Sequence, residues 1–519
     1  MKLERSSGIL LHPTSLPSPD GIGDLGPEAY RWIDFLHDSG TQMWQILPLG
    51  PTGYGDSPYQ CFSAFAGNPF LVSPILLLES GLLKSSDLRQ RPEFPETTVD
   101  FGPVIQWKNH LLDVAYENYL NLHSAEITTR FKQFELNNSE WLDDYSLFMA
   151  IKESQAGQSW LDWPKALKFR EVAALEQIRQ ELATVIEKVK FSQFLFNQQW
   201  QNLKNYAHSK DIRIIGDMPF VIALDSADTW ANPQLFLMDE SLSPTMVAGV
   251  PPDYFSVTGQ LWGNPLYNWP IHAQQGYDWW ARRLGTVLSM VDLVRLDHFR
   301  GFAAAWHVPF GSETAIHGEW IKSPGLALFT ELKRRFPDLP IIAEDLGVIT
   351  PDVEELRDGF GFPGMKILQF AFSGDPEDNF LPHHYPVNCF AYTGSHDNET
   401  AQGWFDHATP KEKQFCLDYL GANESEVPHR MIREVWRSVA RFAVAPMQDF
   451  LGLGSEARMN LPGCASGNWS WRMSKRALSS ELKDQIYQLN FLYSRLTEKE
   501  IEKNTLKHQS ETIDTVKPH

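Results

Sequence analysis

Eight short apolar runs, rich in β-branched residues, recur along this chain, and amphipathic segments separate several of them. They are Gly8–Ser15, Met43–Leu49, Ile212–Val221, Val291–Phe299, Ile341–Asp345, Met365–Phe372, Asn388–Thr393 and Ala445–Leu451. Continuous apolar runs of this length suit strands buried on both faces. After the first run, Pro27 opens a segment whose Ala29, Trp32, Ile33 and Leu36 fall at i, i+3, i+4 and i+7, and Gly40 closes it. Phe196, Trp200, Leu203 and Ala207 repeat the pattern ahead of the third run. After the fifth, Thr350 reads as a helix cap, Pro351 as the first helical residue and Gly359 as the terminator. Alternating strand and helix implies parallel strands. Eight of them predict an α/β fold, the (β/α)8 TIM barrel.

At 519 residues the chain exceeds a plain barrel of roughly 250, and the excess falls in two places. Residues 51–210 read as a mostly helical insertion, for example at Asn109–His123 and Leu175–Lys190. Residues 223–290, with the stretch GVPPDYFSVTGQLWGNPLYNW, read as a loop-rich lid. These insertions follow strands two and three, so both should rise over the C-terminal face, where barrels carry function. The expected organisation is one barrel unit over 1–497 and a polar tail over 498–519.

Lys and Arg total 45 against 65 Asp and Glu, a net charge of −20, which repels a phosphate backbone and argues against nucleic acid as a partner. Cys61, Cys389, Cys416 and Cys464 are scattered without a CxxC pair, so neither a metal site nor a disulfide framework is expected. The apolar run in MKLERSSGILLHPTSLP is too short for a signal peptide, and no stretch approaches the ~18 apolar residues of a membrane span. A cytoplasmic, membrane-free protein is the expectation.

Three of the runs end in an acid: VDLVRLDHFRGF at Asp297, IIAEDLG at Glu344 and FAYTGSHDNET at Asp397. Reactive groups of barrel enzymes project from such strand ends. Cleaving a glycosidic bond with retention needs two carboxyls ~5–5.5 Å apart, one ionised to attack and one protonated to release the leaving oxygen. Arg295 stands two residues before Asp297, hence on the same face of the strand, and favours its ionised form. Glu344 follows Ile341-Ile342-Ala343 without an adjacent cation, and its neighbour Asp345 adds negative charge. Both features raise its pKa, as a general acid requires. Asp397 is left to hold ring hydroxyls as the sugar flattens. His298 and His396 flank acids and read either as hydroxyl donors or as structural residues. Asp217 reads as a hydroxyl ligand or as a partner of Arg295. Trp262, Tyr267 and Trp269 lie in a Gly/Pro/Asn-rich stretch and suit stacking on a pyranose, or core packing. The chemistry needs no cofactor.

RLDHFRG, AEDLG and TGSHDN resemble the strand-four, strand-five and strand-seven motifs of the α-amylase clan. GILLHPTSLPSP, LPLGPTGYGDSPYQCFSAFAGNP, GVPPDYFSVTGQLWGNPLYNW, QDFLGLGSEARMNLPG and GNWSWR more narrowly resemble the 4-α-glucanotransferase family, glycoside hydrolase family 77, across about residues 8 to 475. The resemblance implies Asp297 as nucleophile, Glu344 as acid/base and Asp397 as transition-state stabiliser, with Arg295, His298 and His396 at the family's arginine and histidine positions. It implies that Gln260, Trp262 and Asn264 belong to a loop folding over glucan. Tyr59, Ser57 and Asp217 then fall at sugar-contacting positions, and Tyr54 in a second glucan site. The implied activity is transfer of an α-1,4-glucan segment to the 4-hydroxyl of an acceptor through a covalent glucosyl-enzyme. Maltooligosaccharides, amylose or related glucans would be substrates, with glucose as an acceptor. An aromatic lid over Val250–Trp269, with Tyr254 and Phe255 among its rings, suits the exclusion of water. The alternatives are an α-glucan hydrolase of the same clan and a non-catalytic glucan-binding protein.

Overall fold

A computed structural model describes residues 4–252, 256–464, 466–497 and 501. Twelve strands are numbered along the described chain: β1 (Ser6–Leu10), β2 (Met43–Gln45), β3 (Arg213–Met218), β4 (Met246–Val250), β5 (Gln260–Pro265), β6 (Leu293–Leu296), β7 (Ala304–Pro309), β8 (Glu319–Lys322), β9 (Ile341–Ala343), β10 (Gly364–Ile367), β11 (Cys389–Tyr392) and β12 (Phe442–Pro446). Eight of them form one sheet in the order β10-β11-β12-β1-β2-β3-β6-β9, in which neighbouring strands pair in parallel. The Ala343 N–H donates to the Pro363 carbonyl at 2.9 Å and brings the two outer strands together. The result is a (β/α)8 barrel.

The strands are shorter than the apolar runs that encode them, because each run continues into the loop that carries the site. All residues of β1, β2, β6, β9, β11 and β12 are buried, which is why their sequences do not alternate. The last run is displaced: the strand is Phe442–Pro446, and Met447–Phe450 turns helical. Pro446 has no N–H to continue a ladder, so the strand stops there.

Helix Pro27–Asp38 buries Ala29, Trp32, Ile33 and Leu36 as the spacing requires. Trp32 meets Trp44 of β2 edge-on at 6.5 Å, and Trp44 in turn meets Trp200 at 6.3 Å. Helix Pro351–Phe360 ends at Gly361 (φ 72°) rather than at Gly359. The left-handed residue after the last turn is the one that must be glycine. The Thr350 hydroxyl does not cap this helix; it donates to Asp352.

Between β2 and β3 lie helices that include Phe101–Leu122, Ala125–Ser154, Val172–Glu181 and Ala183–Ser209. Part of this insertion has its own apolar cluster around Phe148, Trp160 and Trp163, which Trp230 joins from beyond β3. The stretch 223–290, expected to be loop-rich, also carries regular elements. That stretch supplies β4 and β5, which join β7 and β8 in a four-stranded sheet ordered β5-β4-β7-β8, and it ends in helix Asp278–Met290. Its Gly and Pro content concealed two short strands, and β4 pairs with β5 through an irregular register between Val247 and Gly249. The proposed tail over 498–519 lies outside the described residues apart from Ile501, as do Tyr254 and Phe255. Among the described residues no helix is long and apolar enough to cross a membrane.

Candidate active site

The barrel neighbours β3, β6 and β9 bring the first acids together. Register sets Asp217 beside Arg295 and Leu296 beside Ala343. Arg295 donates from Nη1 to Asp217 at 2.6 Å, and its Nη2 lies 2.8 Å from Asp297 Oδ1. The Arg295 side chain is 3% exposed, whereas that of Asp297 is 26% and that of Asp397 40% exposed, so charge is graded from barrel floor to open mouth. His298 adopts a left-handed conformation (φ 52°), which turns the chain sharply after Asp297. Its N–H donates to Glu344 Oε2 at 2.7 Å, and the Leu346 N–H donates to Oε1 at 3.0 Å. Glu344 is thus held by the residue that follows Asp297.

Burial pushes the Glu344 carboxyl up to about 8, and the negative charge of Asp297 adds to the rise; Arg295 and the two N–H donors oppose it without prevailing. Asp345 plays no part, contrary to the sequence expectation. It pairs with Arg357 and accepts the Met365 N–H at 2.7 Å. Successive residues of an extended strand face opposite ways, so adjacency in sequence was a poor guide. Burial also raises Asp217 in spite of its ion pair, while the carboxylates around Arg295 outweigh burial and hold that guanidinium charged. In this structure Asp217 is paired with Arg295, and its side chain is fully buried.

Tyr59 links the two sides of the mouth. Its hydroxyl donates to Asp217 Oδ2 at 2.9 Å and lies 2.7 Å from His396 Nε2. A hydroxyl has one proton, so His396 must carry its hydrogen on Nε2, where Asp397 Oδ2 also lies at 3.3 Å. Burial lowers the His396 pKa and favours the neutral ring, which stacks on Tyr59 at 5.3 Å. Burial likewise lowers His298 to about 4.

Three groups around Asp397 escaped the sequence reading. Asn460 Nδ2 donates to Asp397 Oδ1 at 2.6 Å, and Arg458 donates to the Asp397 carbonyl at 3.0 Å. Buried Asp449 accepts from the Thr393 hydroxyl at 2.5 Å and the Ala401 N–H at 2.7 Å, bracing the loop between them. All three lie in the segment QDFLGLGSEARMN, which had been used only as a family signature.

The remaining candidates divide by place. Trp262 meets the His298 ring edge-on at 4.8 Å and donates to Gln260 at 3.2 Å, so both border the Asp297 turn. Asn264 is buried, donates to the Ile222 carbonyl at 2.7 Å and accepts from Gln60, an arrangement that braces the lid. Tyr267 and Trp269 pack with Trp280 in the core. Ser57 accepts the Tyr59 N–H at 3.2 Å, and Tyr54 stands 77% exposed on a neighbouring turn. Among the described residues no group of three or more His, Cys, Asp and Glu side chains is placed to hold a metal ion.

A parallel barrel that sets an arginine-paired Asp297 beside a buried Glu344 of raised pKa at its mouth has the parts of a carbohydrate-active barrel enzyme. The sequence model of the 4-alpha-glucanotransferases of glycoside hydrolase family 77 matches residues 11–479. A 4-alpha-glucanotransferase of Thermus thermophilus is 50% identical over 489 residues, spanning 93% of this chain and 97% of that protein. The chloroplastic/amyloplastic 4-alpha-glucanotransferase of Solanum tuberosum is 45% identical, spanning 90% and 82%. The structure of an amylomaltase from Streptococcus agalactiae, in complex with acarbose, superposes with a TM-score of 0.92 at 39% identity, covering 95% of this chain and all of that one. The chain belongs to the glycoside hydrolase family 77 4-alpha-glucanotransferases. It is a hexosyltransferase acting on α-glucans.

Proposed function

We propose that Asp297, Glu344 and Asp397 divide the work of a retaining glucan transfer. In the first half, Asp297 attacks the anomeric carbon, the glycosidic C–O bond breaks, and the Glu344 proton passes to the leaving oxygen. In the second half, the 4-hydroxyl of an acceptor gives its proton to Glu344 and displaces Asp297, so the linkage is re-formed with its original configuration. Asp397, anchored by Asn460 and His396, holds hydroxyls of the flattened ring. The observation that carries this reading is the grip of the His298 N–H on Glu344 at 2.7 Å, which couples the acid to the strand end bearing the nucleophile. A proton donor kept protonated up to about 8 beside an arginine-paired carboxylate is the asymmetry this chemistry needs.

The donors we infer are maltooligosaccharides and longer α-1,4-glucans, with glucose among the acceptors. Trp262 and Gln260 at the mouth would cover the bound chain, with Tyr59 and Ser57 on the opposite side, Asp217 behind Tyr59 holding its hydroxyl and Arg295 in place, and Tyr54 on a separate surface contact. The organisation proposed is one catalytic barrel through residue 497, with residues 51–210 and 223–290 inserted over the mouth. A cytoplasmic location fits the four free thiols. Maltotriose tests the reading: glucose and a ladder of longer maltodextrins should form without a net rise in reducing ends. A steady rise in reducing ends would overturn it in favour of hydrolysis.

A further inference from the structure

Arg300 belongs to the turn Phe299–Phe302, two residues beyond His298. Its side chain leaves that turn and reaches the loop that follows Glu344. Nη1 donates to the Val348 carbonyl at 2.8 Å and to the Thr350 hydroxyl at 2.9 Å. The guanidinium centre also lies 3.9 Å from the ring centroid of Trp320 on β8. One side chain therefore ties together the loop after the nucleophile, the loop after the acid and the β7–β8 hairpin.

These two loops supply the two N–H groups that grip Glu344, one from His298 and one from Leu346. The Leu346 loop has little else to fix it: Gly347 takes φ 85° and Val348 is 63% exposed. We propose that Arg300 is a positioning residue for the transfer reaction, a clasp that sets the distance between the His298 and Leu346 donors and so aims the Glu344 carboxyl. It touches neither substrate nor the reacting atoms. Arginine suits the task because one planar head can donate to two acceptors and stack on an indole at once, which a lysine ammonium cannot. The charged and titratable groups involved are Arg295 on β6 and Asp297 just beyond it, both facing Glu344, His298 between the two loops, and Asp352 facing Arg300. All of them remain in an Arg300 variant.

The inference rests on Glu344 as the acid/base, and the experiment separates the two. Arg300→Met and Arg300→Lys are assayed for maltotriose transfer across pH, and for the burst of fluoride released from α-maltosyl fluoride, whose leaving group needs no proton. Glu344→Gln is run alongside. With the clasp removed, kcat on maltotriose should fall roughly 10–100-fold with KM within about twofold, the cost of a misaimed catalytic group. The alkaline limb should move to higher pH, because the ionised acid loses donor contacts. The fluoride burst should survive better than maltotriose transfer, and Arg300→Lys should recover only part of the rate. Equal losses on both donors with an unmoved alkaline limb would overturn the proposal, leaving Arg300 a merely structural residue. Unchanged kinetics would overturn it as well, and if Glu344→Gln is inactive the acid assignment survives. Full transfer activity in Glu344→Gln would remove both. Should Arg300→Met fail to fold, Thr350→Val keeps the guanidinium and deletes one acceptor. It should shift the alkaline limb the same way by less, and a wild-type profile there would refute the clasp.

Discussion

Replacing Asp297 with Asn should lower the pKa of Glu344 even though it abolishes turnover. The rise of Glu344 from 4.5 to about 8 has burial as its largest cause and the Asp297 charge as the next. The whole rise corresponds to roughly 5 kcal/mol at ~1.4 kcal/mol per pKa unit. Two carboxylates at the ~5–5.5 Å spacing of a retaining pair repel by roughly 3 kcal/mol at an effective dielectric of ~20, which is about two units. Removing one charge should therefore bring Glu344 to ~6, with burial responsible for what is left. Arg295, relieved of Asp297, can only add to the drop. Infrared difference titration of Asp297→Asn against Asp297→Asn/Glu344→Gln isolates the protonated Glu344 carboxyl and gives its midpoint. If Glu344 titrates in Asp297→Asn where it does in the wild type, the two carboxyls do not share a gap, and the reasoning about their division of labour fails.

Glu344 also links pH to stability. Its folded value lies above its unfolded one of 4.5, so the stability it contributes is intact below about 4.5 and is lost as pH rises through about 8. Thermal midpoints of Glu344→Gln should fall less than those of the wild type between those limits, and parallel pH curves would contradict this. Asn460→Ala should free Asp397 Oδ1 and lower kcat by roughly tenfold, the order expected when a hydrogen bond of about 1.4 kcal/mol to a charged group is lost, with KM little changed. Steady-state kinetics on maltotriose reads both numbers. Trp262→Ala opens the lid edge over His298, so the fraction of turnovers ending in hydrolysis should rise several-fold, measured as reducing ends per glucose released.

The barrel was legible because burial on both faces writes each strand as an unbroken apolar run, and because proline and glycine mark helix ends. Asp297, Glu344 and Asp397 were legible for a related reason: a carboxyl that ends an apolar run has to emerge at the strand's mouth. What the sequence concealed depends on contacts distant along the chain. Asn460 meets Asp397 across 63 positions, and no local pattern marks that approach. Asp345 was assigned to the wrong face because neighbouring letters look adjacent while the pleat separates them. The β7–β8 hairpin was passed over because its strands are short, β8 is largely exposed, and the turn between them carries Gly and Ser.

The account stands on a glucosyl ester at Asp297. Incubating Glu344→Gln with a 5-fluoro-α-glucosyl fluoride, digesting with protease and mapping the label by mass spectrometry tests it directly, since the fluoride leaves unaided and the missing base slows release of the ester. The expected result is a single added fluoroglucosyl mass on the peptide containing Arg295, Asp297 and His298. A label on a peptide carrying Asp397 or Asp217 instead, or turnover of the donor with no ester formed and an inverted product, would contradict it.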